Sequence, residues 1–405
     1  MKVAIVGGGF TGCLMAIYAA QKGYEVTLFE SGAELGGVLR DVNIDGRYFY
    51  NGCQYLGNSS LESAGLLSNL FQFSHEYGSV TGLGNRKIRV LDDCSQPALD
   101  GKAFVSTETS IDQSALTRLK SYGYNSRNLT QWASHFGDLS KLDWRCLIAM
   151  QIERIYFPED SNLSVLKLQN ERANQLTAIP RRLRMPNQDV EAAWLPSQGF
   201  NAMFKKIGLL MKSLGVTVNL HAPVKPLINS DHFRIYSRGF EYSPNLTIWA
   251  NNPTPLLKKI CSVSLITPPI RMRLMFGELK KGEKLPFSTP YYWQVFDETS
   301  NVVRLYIYEM QGAIRYTAEA FSTGSEAASW NNLDSLMQQI GLFGSHKRCG
   351  MIEQLRYVNF SVEEYNAIES ATPTLLQMGI IPGAWQHYGR EEKIRHIKHM
   401  FDEFI

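Results

Sequence analysis

The sequence predicts an α/β protein that combines a doubly wound parallel sheet with a second α+β domain formed by insertions. Three observations predict this fold. The chain opens with a strand, a helix and a second strand in direct succession. A glycine-rich turn joins the first strand to the helix. Beyond residue 198, an amphipathic helix and several short strand candidates indicate that the chain returns to the same unit.

The composition is that of an ordinary folded protein. Of the 405 residues, 44% are hydrophobic and 20% are charged, which excludes a disordered chain and allows two or three structural units. The formal net charge is +3 and no long block of like charges occurs, so we expect no nucleic-acid surface. No apolar run is long enough for a transmembrane helix. The apolar opening stops at Gly7, too early for a signal peptide, so we expect a cytoplasmic protein. The sequence does not determine its oligomeric state.

The opening elements follow from their apolar pattern. Lys2–Val6 is predicted to be a short buried strand, Phe10–Lys22 a helix and Tyr24–Glu30 a second strand. A mostly helical insertion is expected from about residue 60 to 195. The segment Gly199–Leu214 is predicted to be a helix, because its apolar residues recur at i, i+3, i+4 and i+7.

The remaining elements divide the chain between two domains. Predicted strands that follow the second helix are Val216–Leu220, Val224–Ile228, His232–Ser237 and Leu246–Asn251. Predicted strands of the second domain are Ile270–Phe276, Tyr291–Phe296 and Val302–Tyr308, and a charged helix, Glu391–Phe404, ends the chain. We therefore assign residues 1–60, 195–261 and 373–405 to a nucleotide-binding domain, and residues 61–194 and 262–372 to a substrate domain that combines the helical insertion with an antiparallel sheet.

The glycine-rich turn carries a dinucleotide-binding fingerprint. Gly7 permits a tight turn, Gly9 lets the backbone approach a pyrophosphate, and Gly12 lets the helix and the strand pack closely. The helix N-terminus then offers free N–H groups to the phosphates. Glu30 ends the second strand, where a carboxylate can accept hydrogen bonds from ribose hydroxyls. A negative charge at this position would repel the 2′-phosphate of NADP, so NADP is not expected here.

The fingerprint alone fits either NAD or FAD, but a resemblance to a known family favours FAD. The stretches Glu34–Arg40, Ile44–Phe49 and Gly52–Gln54 resemble the FAD-binding opening of the amine oxidase superfamily, which includes protoporphyrinogen oxidase-like enzymes and UDP-galactopyranose mutase. The resemblance implies a Rossmann-like FAD-binding sheet. It also implies that Gly36, Gly37 and Arg40 wrap the pyrophosphate, and that the turn ending at Gln54 approaches the isoalloxazine ring.

Later segments extend the resemblance more loosely. Trp194–Phe200 and its helix resemble the return to the FAD domain, and the backbone of Val224 would contact the adenine side. Gly383–Tyr388 is similar to a degenerate form of the family stretch that lies under the flavin, with Trp385 near the ring. Two positions depart from the family pattern: Gln54 replaces a histidine that is usual in the mutases, and the C-terminal motif has lost part of its glycine and arginine content.

Three residues are candidates for catalysis. Arg182 lies in an Ile-Pro-Arg-Arg stretch that resembles a substrate-facing arginine segment of the mutase, although a solvated basic turn explains it equally well. Arg304 is predicted to share a strand face with Tyr306 and Tyr308. This face could bind a substrate with a polar ring, or it could be an ordinary packing face of the sheet. His387 could act as a general acid or base, or could be structural.

No metal site is expected, because the six cysteines lack metal-binding spacing and the histidines lack a third ligand. Three functions remain open. The first is an FAD-dependent oxidoreductase, in which a small polar substrate gives a hydride to flavin N5. The second is a redox-neutral enzyme like UDP-galactopyranose mutase, with a nucleotide sugar as its small-molecule substrate. The third is a flavin-binding scaffold without catalysis.

Overall fold

The fold is taken from a computed structural model, which describes most of the chain. The described residues are 1–54, 56–57, 73–77, 80–83, 114–117, 133–149, 193–196, 198–229, 232–280, 282, 285, 289–295, 300–342, 344, 346–387 and 390–404. Their helices are α1 Phe10–Gln21, α2 Cys146–Ala149, α3 Gly199–Ser213, α4 Thr254–Ile260, α5 Glu326–Gln339, α6 Val362–Gln377 and α7 Arg390–Phe404.

A five-stranded parallel sheet forms the centre of the first domain. Its strands stand in the order β19, β13, β1, β2 and β9. They span Ile380–Pro382, Leu246–Trp249, Lys2–Val6, Glu25–Phe29 and Thr217–Asn219. Strand β1 is central and pairs in parallel with β2 on one side and β13 on the other. Because β1 is covered on both faces, its residues from Val3 to Val6 are all buried and apolar.

Helices cover both faces of this sheet, as a doubly wound fold requires. On one face, Ile5 and Leu28 pack in a core with side chains of α1, α3 and α7. On the other face, Ala4 and Trp249 pack with side chains of α4, α6 and a small antiparallel sheet. That small sheet consists of β10 Lys225–Asn229, β11 His232–Ser237 and β12 Phe240–Tyr242.

A six-stranded, mostly antiparallel sheet forms the second domain. The order is β18, β14, β17, β16, β15 and β7. These strands span His346–Tyr357, Ile270–Leu279, Ala313–Phe321, Val302–Met310, Tyr291–Val295 and Val80–Leu83. One face packs beneath α5, where Leu305 and Tyr316 meet Leu333. The opposite face meets residues 42–54 of the first domain, so the two domains share a polar and aromatic boundary.

Short strands complete the described structure. The hairpin of β3 Val42–Ile44 and β4 Arg47–Phe49 leads into this boundary. A three-stranded sheet has the order β5 Leu56–Gly57, β8 Ala193–Pro196 and β6 Phe73–Tyr77. In the part of the chain that the structure describes, no helix is long and apolar enough to cross a membrane.

The predicted fold class is confirmed: a Rossmann-like parallel sheet is joined to a second domain with an antiparallel sheet. Most predicted elements agree within three residues, and β1 and β11 agree at both ends. The elements that were not predicted include α4 and several short strands of the first domain, and β17, α5, β18, α6 and β19 in the later part of the chain. Helix α6 spans the expected domain boundary at residues 372 and 373. The expected helical insertion lies mostly outside the described residues, and the domain limits stay a prediction.

Candidate functional site

The glycine fingerprint lies at the carboxyl end of β1, where the chain turns into α1. Gly7 has a φ of 107° and donates to the Phe29 carbonyl at 2.8 Å, which ties the turn to β2. A Cβ on Gly12 would lie 1.9 Å from the Gly7 carbonyl oxygen, so only glycine fits there. A Cβ on Gly9 would meet no atom within 4 Å. The backbone at Gly9 therefore borders open space at the helix N-terminus, where an anion can approach.

The carboxylate of Glu30 is fixed beside this turn. One oxygen accepts the Gly8 N–H at 2.7 Å, and the other accepts the Gly32 N–H at 2.7 Å. An ionised carboxylate has about four acceptor positions, so further capacity remains for ribose hydroxyls. The residue thus stands where the sequence places it, at the end of β2 and half-buried.

A second glycine loop closes over the first. Gly36 donates to the Gly8 carbonyl at 2.8 Å, and its φ is 118°. A Cβ on Gly36 would lie 2.7 Å from the Phe204 ring, so this loop also needs glycine. Arg40 follows the loop and pairs with Glu34 at 2.9 Å. Its Nε is buried and has no hydrogen-bond partner in the described structure, which leaves a donor of a charged group without an acceptor.

The C-terminal stretch lies at the same edge of the sheet. The Trp385 indole donates to the Asn251 carbonyl at 2.8 Å, just beyond β13, and the ring is 7% exposed. The neighbouring Gln386 is also 7% exposed, and within the described structure its Oε1 has no hydrogen-bond partner. Val224 precedes β10 and packs against the core that contains Trp385. A buried acceptor next to Trp385 is a feature that the sequence analysis missed.

Gln54 is connected to the C-terminal helix. Arg390, the first residue of α7, donates from Nη2 to the Gln54 side-chain oxygen. His387 is half-buried, and its Nδ1 lies 3.0 Å from a carboxylate oxygen of Glu392. The rings of His387 and His396 are 4.7 Å apart. This geometry orients the His387 imidazole, and its role in catalysis stays a prediction.

The predicted face of Arg304, Tyr306 and Tyr308 exists. All three side chains are buried at the domain boundary, and both tyrosine rings contact the Tyr50 ring. The Tyr308 hydroxyl accepts the Tyr50 N–H at 2.9 Å and pairs with the Thr317 hydroxyl at 2.8 Å. The described contacts of Tyr308 are therefore those of a packed boundary. Arg182, by contrast, lies outside the described residues, so its role stays a prediction.

A buried carboxylate, Glu319, is the partner of Arg304. It accepts from Arg304 at 3.3 Å, from Arg356 at 3.3 Å, from the Tyr357 hydroxyl at 3.2 Å and from the Cys53 N–H at 2.9 Å. Burial alone would raise its pKa, but the two guanidiniums and the hydrogen bonds outweigh burial and lower the pKa below the usual value. Glu319 is therefore ionised and holds the Gly52–Gln54 turn against the second sheet.

Glu319 and Arg356 were not predicted as site residues, because their strands β17 and β18 were not predicted. An alternation of polar residues in β17, Arg315, Thr317 and Glu319, was the available signal, since alternate residues of a strand share one face. All three reach the first domain: Arg315 donates to the Tyr48 carbonyl, and Thr317 donates to the Tyr50 carbonyl.

Together, these residues fit a nucleotide diphosphate. Two glycine loops meet where a side chain would block them, and a fixed carboxylate stands beside them. Arg40 Nε and Gln386 Oε1 are buried in segments that are expected to contact the cofactor, and neither atom has a hydrogen-bond partner among the described residues. Among the described residues, no cluster of metal-ligating side chains occurs.

One protein-family model matches the first part of the first domain. Residues 5–71 match the model of an NAD(P)-binding Rossmann-like domain. No curated protein matches the sequence. The family match therefore covers the two glycine loops and Glu30, but not the second domain.

Solved structures share the fold over the whole chain. Reduced UDP-galactopyranose mutase has a TM-score of 0.68 at 13% identity, with 99% of this chain and 96% of that chain covered. A protein assigned as a protoporphyrinogen oxidase from Exiguobacterium sp. 255-15 has a TM-score of 0.65 at 14% identity, with 99% and 98% covered. A variant of putrescine oxidase has a TM-score of 0.56 at 14% identity, with 100% and 98% covered. The expected likeness to protoporphyrinogen oxidase-like proteins and UDP-galactopyranose mutase is confirmed at the level of the fold.

Proposed function

We propose that this protein is an FAD-dependent oxidoreductase that acts on a small polar substrate. The observation that carries the proposal is the paired glycine loop, in which Gly36 is hydrogen-bonded to Gly8 and the backbone at Gly9 is unobstructed. This arrangement suits the diphosphate of a dinucleotide. The structural similarity to flavin-type folds along the whole chain, and not only along the first domain, supports FAD rather than NAD.

Each group would then have a definite task. The amides of the two loops and the Arg40 guanidinium bind the diphosphate, and Glu30 binds the ribose next to it. When bound, FAD supplies a two-electron acceptor whose N5 takes a hydride from the substrate. Arg304, at the domain boundary, orients the polar substrate. His387, held by Glu392 at 3.0 Å, exchanges a proton with it.

Binding of FAD is the first test. The purified protein, incubated with FAD and desalted, should retain oxidised-flavin absorbance, and its melting temperature should rise. Ligand at one hundred times its Kd stabilises a protein by about 2.7 kcal/mol. Gly9→Ala should weaken FAD binding without changing the melting temperature of the apoprotein, because its Cβ would enter open space. Gly208→Ala is the matched control, since its Cβ would make only an ordinary contact at 3.6 Å.

Substrate reduction is the second test. Under anaerobic conditions, a substrate of the proposed oxidoreductase should bleach the bound flavin at a rate comparable with turnover. A colourless protein whose melting temperature ignores excess FAD would refute the proposal at its first step. Bound FAD that no candidate amine, alcohol or other C–H donor reduces would favour the non-catalytic scaffold instead.

A redox-neutral mutase is the second candidate. The full-length similarity to reduced UDP-galactopyranose mutase favours it, together with buried Arg304 at the domain boundary. In that reaction, reduced FAD would supply a nucleophile for the anomeric carbon of a nucleotide sugar. Turnover of a nucleotide sugar only after dithionite reduction would select the mutase. Turnover without any reductant, or none at all, would reject it.

A further inference from the structure

The second sheet contains a buried guanidinium with one unused end. The side chain of Arg356 is 4% exposed. Its Nη2 donates to the Asn51 carbonyl at 2.7 Å and to Glu319 at 3.3 Å. Its Nη1 is buried and, within the described structure, has no hydrogen-bond partner. A buried donor on a charged group is costly to leave unpaired, so this nitrogen requires an acceptor that is not among the described residues.

Glu319 does not complete Arg356, because it serves several donors at once. One of its oxygens accepts from both the Cys53 N–H and Arg356, and the other accepts from Arg304 and Tyr357. A single carboxylate thus faces two guanidiniums. One more negative charge would balance Arg356, whereas a dianion would exceed that balance. The charge therefore favours a monoanion.

The location connects this guanidinium with the proposed cofactor. A Cβ on Gly52 would lie 2.1 Å from Arg356 Nη2, so the arginine packs directly against the turn that leads to Gln54. This is the turn that is expected to approach the isoalloxazine ring. The neighbouring Gln354 also donates to the Asn51 side chain, at 2.8 Å, so β18 fixes the turn at two points.

We propose that the substrate is a small monocarboxylate whose carboxylate group pairs with Arg356 Nη1 at the boundary of the two domains. The inference rests on the proposed function, because a substrate that reduces FAD must reach the isoalloxazine ring, which the Gly52–Gln54 turn is expected to approach. A carboxylate oxygen is a strong acceptor for a guanidinium N–H and carries the single charge that the cluster lacks. Arg356 thereby becomes a residue that determines substrate specificity, and Glu319 positions it.

The test uses the FAD-loaded protein, with benzoate and butyrate as probes and benzamide as the neutral isostere. Binding is measured by calorimetry and by perturbation of the flavin spectrum, so it does not depend on turnover. Both carboxylates should bind at least tenfold more tightly than benzamide. Arg356→Met should weaken carboxylate binding at least tenfold and leave benzamide binding unchanged. Arg356→Lys should lie between the two proteins, because it retains the charge but loses the planar fork.

The control is Arg271→Met, which removes an exposed arginine from the neighbouring strand β14. It should leave the affinity for benzoate within a factor of two. Equal binding of benzoate and benzamide, with FAD bound, would overturn the monocarboxylate inference while the proposed function stands. Loss of FAD from Arg356→Met and Arg356→Lys with unchanged carboxylate binding would also overturn it, because Arg356 would then hold the cofactor. A protein that binds no FAD would remove both proposals.

Discussion

The glycine fingerprint and the Glu319 cluster are two polar sites built in opposite ways. The fingerprint is made almost entirely of backbone: Gly7, Gly9 and Gly12 act by lacking side chains. The cluster is made of buried charged side chains from three strands and the Gly52 turn. Glycines that lie five residues apart determine the first site, whereas residues 266 positions apart meet in the second. A backbone site is specified locally, and a side-chain site depends on how distant strands pair.

The largest expected effect breaks the side-chain site. Glu319→Ala leaves two guanidiniums facing a buried space without their shared counter-ion. Removal of one partner from a buried ion pair costs about 3–5 kcal/mol, so urea unfolding should show a loss of that size. Glu319→Gln, which keeps an acceptor but no charge, should lose about half as much. A loss below about 1 kcal/mol for the alanine variant would mean that the cluster does not stabilise the domain boundary.

The backbone site should respond to an added methyl group. In Gly12→Ala the Cβ would lie 1.9 Å from the Gly7 carbonyl oxygen, so helix α1 must move away from the turn. Overpacking of this kind costs about 3 kcal/mol, and FAD binding should be lost with it. Thermal unfolding and flavin retention after desalting measure the two effects. If Gly12→Ala behaved like Gly208→Ala in both measurements, the close packing of strand and helix would not be needed.

Asp41, the residue after Arg40, should make stability depend on pH. Its carboxylate accepts from the N–H groups of Phe200 and Asn201 at the start of α3, and it lines a cleft of about 410 Å³ with Tyr48. Burial raises its pKa to about 6, although these two hydrogen bonds lower it. Because the pKa is higher in the folded state, protonation favours folding. The added stability is fully present below the usual pKa of 3.8 and is lost as pH rises through about 6.

The free energy of unfolding should therefore fall by about 2 kcal/mol between pH 4 and pH 7 on account of this residue. The comparison is with Asp41→Asn, which cannot titrate and whose stability should change less over the same range. Denaturant titrations at several pH values measure the difference. If the free energy of unfolding changed with pH in the same way for both proteins, burial would not raise the pKa of Asp41, and the prediction would be wrong.

The smallest expected effect sharpens the boundary between the regions. Tyr308→Phe removes the acceptor of the Tyr50 N–H and the partner of the Thr317 hydroxyl. Leaving a buried N–H unpaired should cost about 1–2 kcal/mol. Tyr316→Phe loses one hydrogen bond, to His346, on the opposite face of the same sheet. This substitution should cost about 0.5–1 kcal/mol. A larger loss of stability for Tyr316→Phe than for Tyr308→Phe would mean that the hydrogen bonds on the α5 face matter more than those at the domain boundary.

The candidate site could be predicted from the sequence only in part. The positions of Gly7, Gly9, Gly12 and Glu30 followed from spacing, because a strand, a turn and a helix adjacent in sequence must also be adjacent in space. The shared face of Arg304 and the tyrosines followed from strand alternation. Its partner Glu319 did not, since β17 and the register of its pairing with β16 were not predicted.

The sequence by itself determined the parallel sheet, the turn at Gly7 and the carboxylate at the end of β2, because backbone conformation and short-range periodicity specify them. Only the tertiary structure decided that Arg304 and Arg356 share one carboxylate, and that Arg390 reaches Gln54. The physical reason is that a buried charge needs a partner, but nothing in the local sequence indicates which distant strand provides it. That choice is made when the two sheets pack and fix which faces meet.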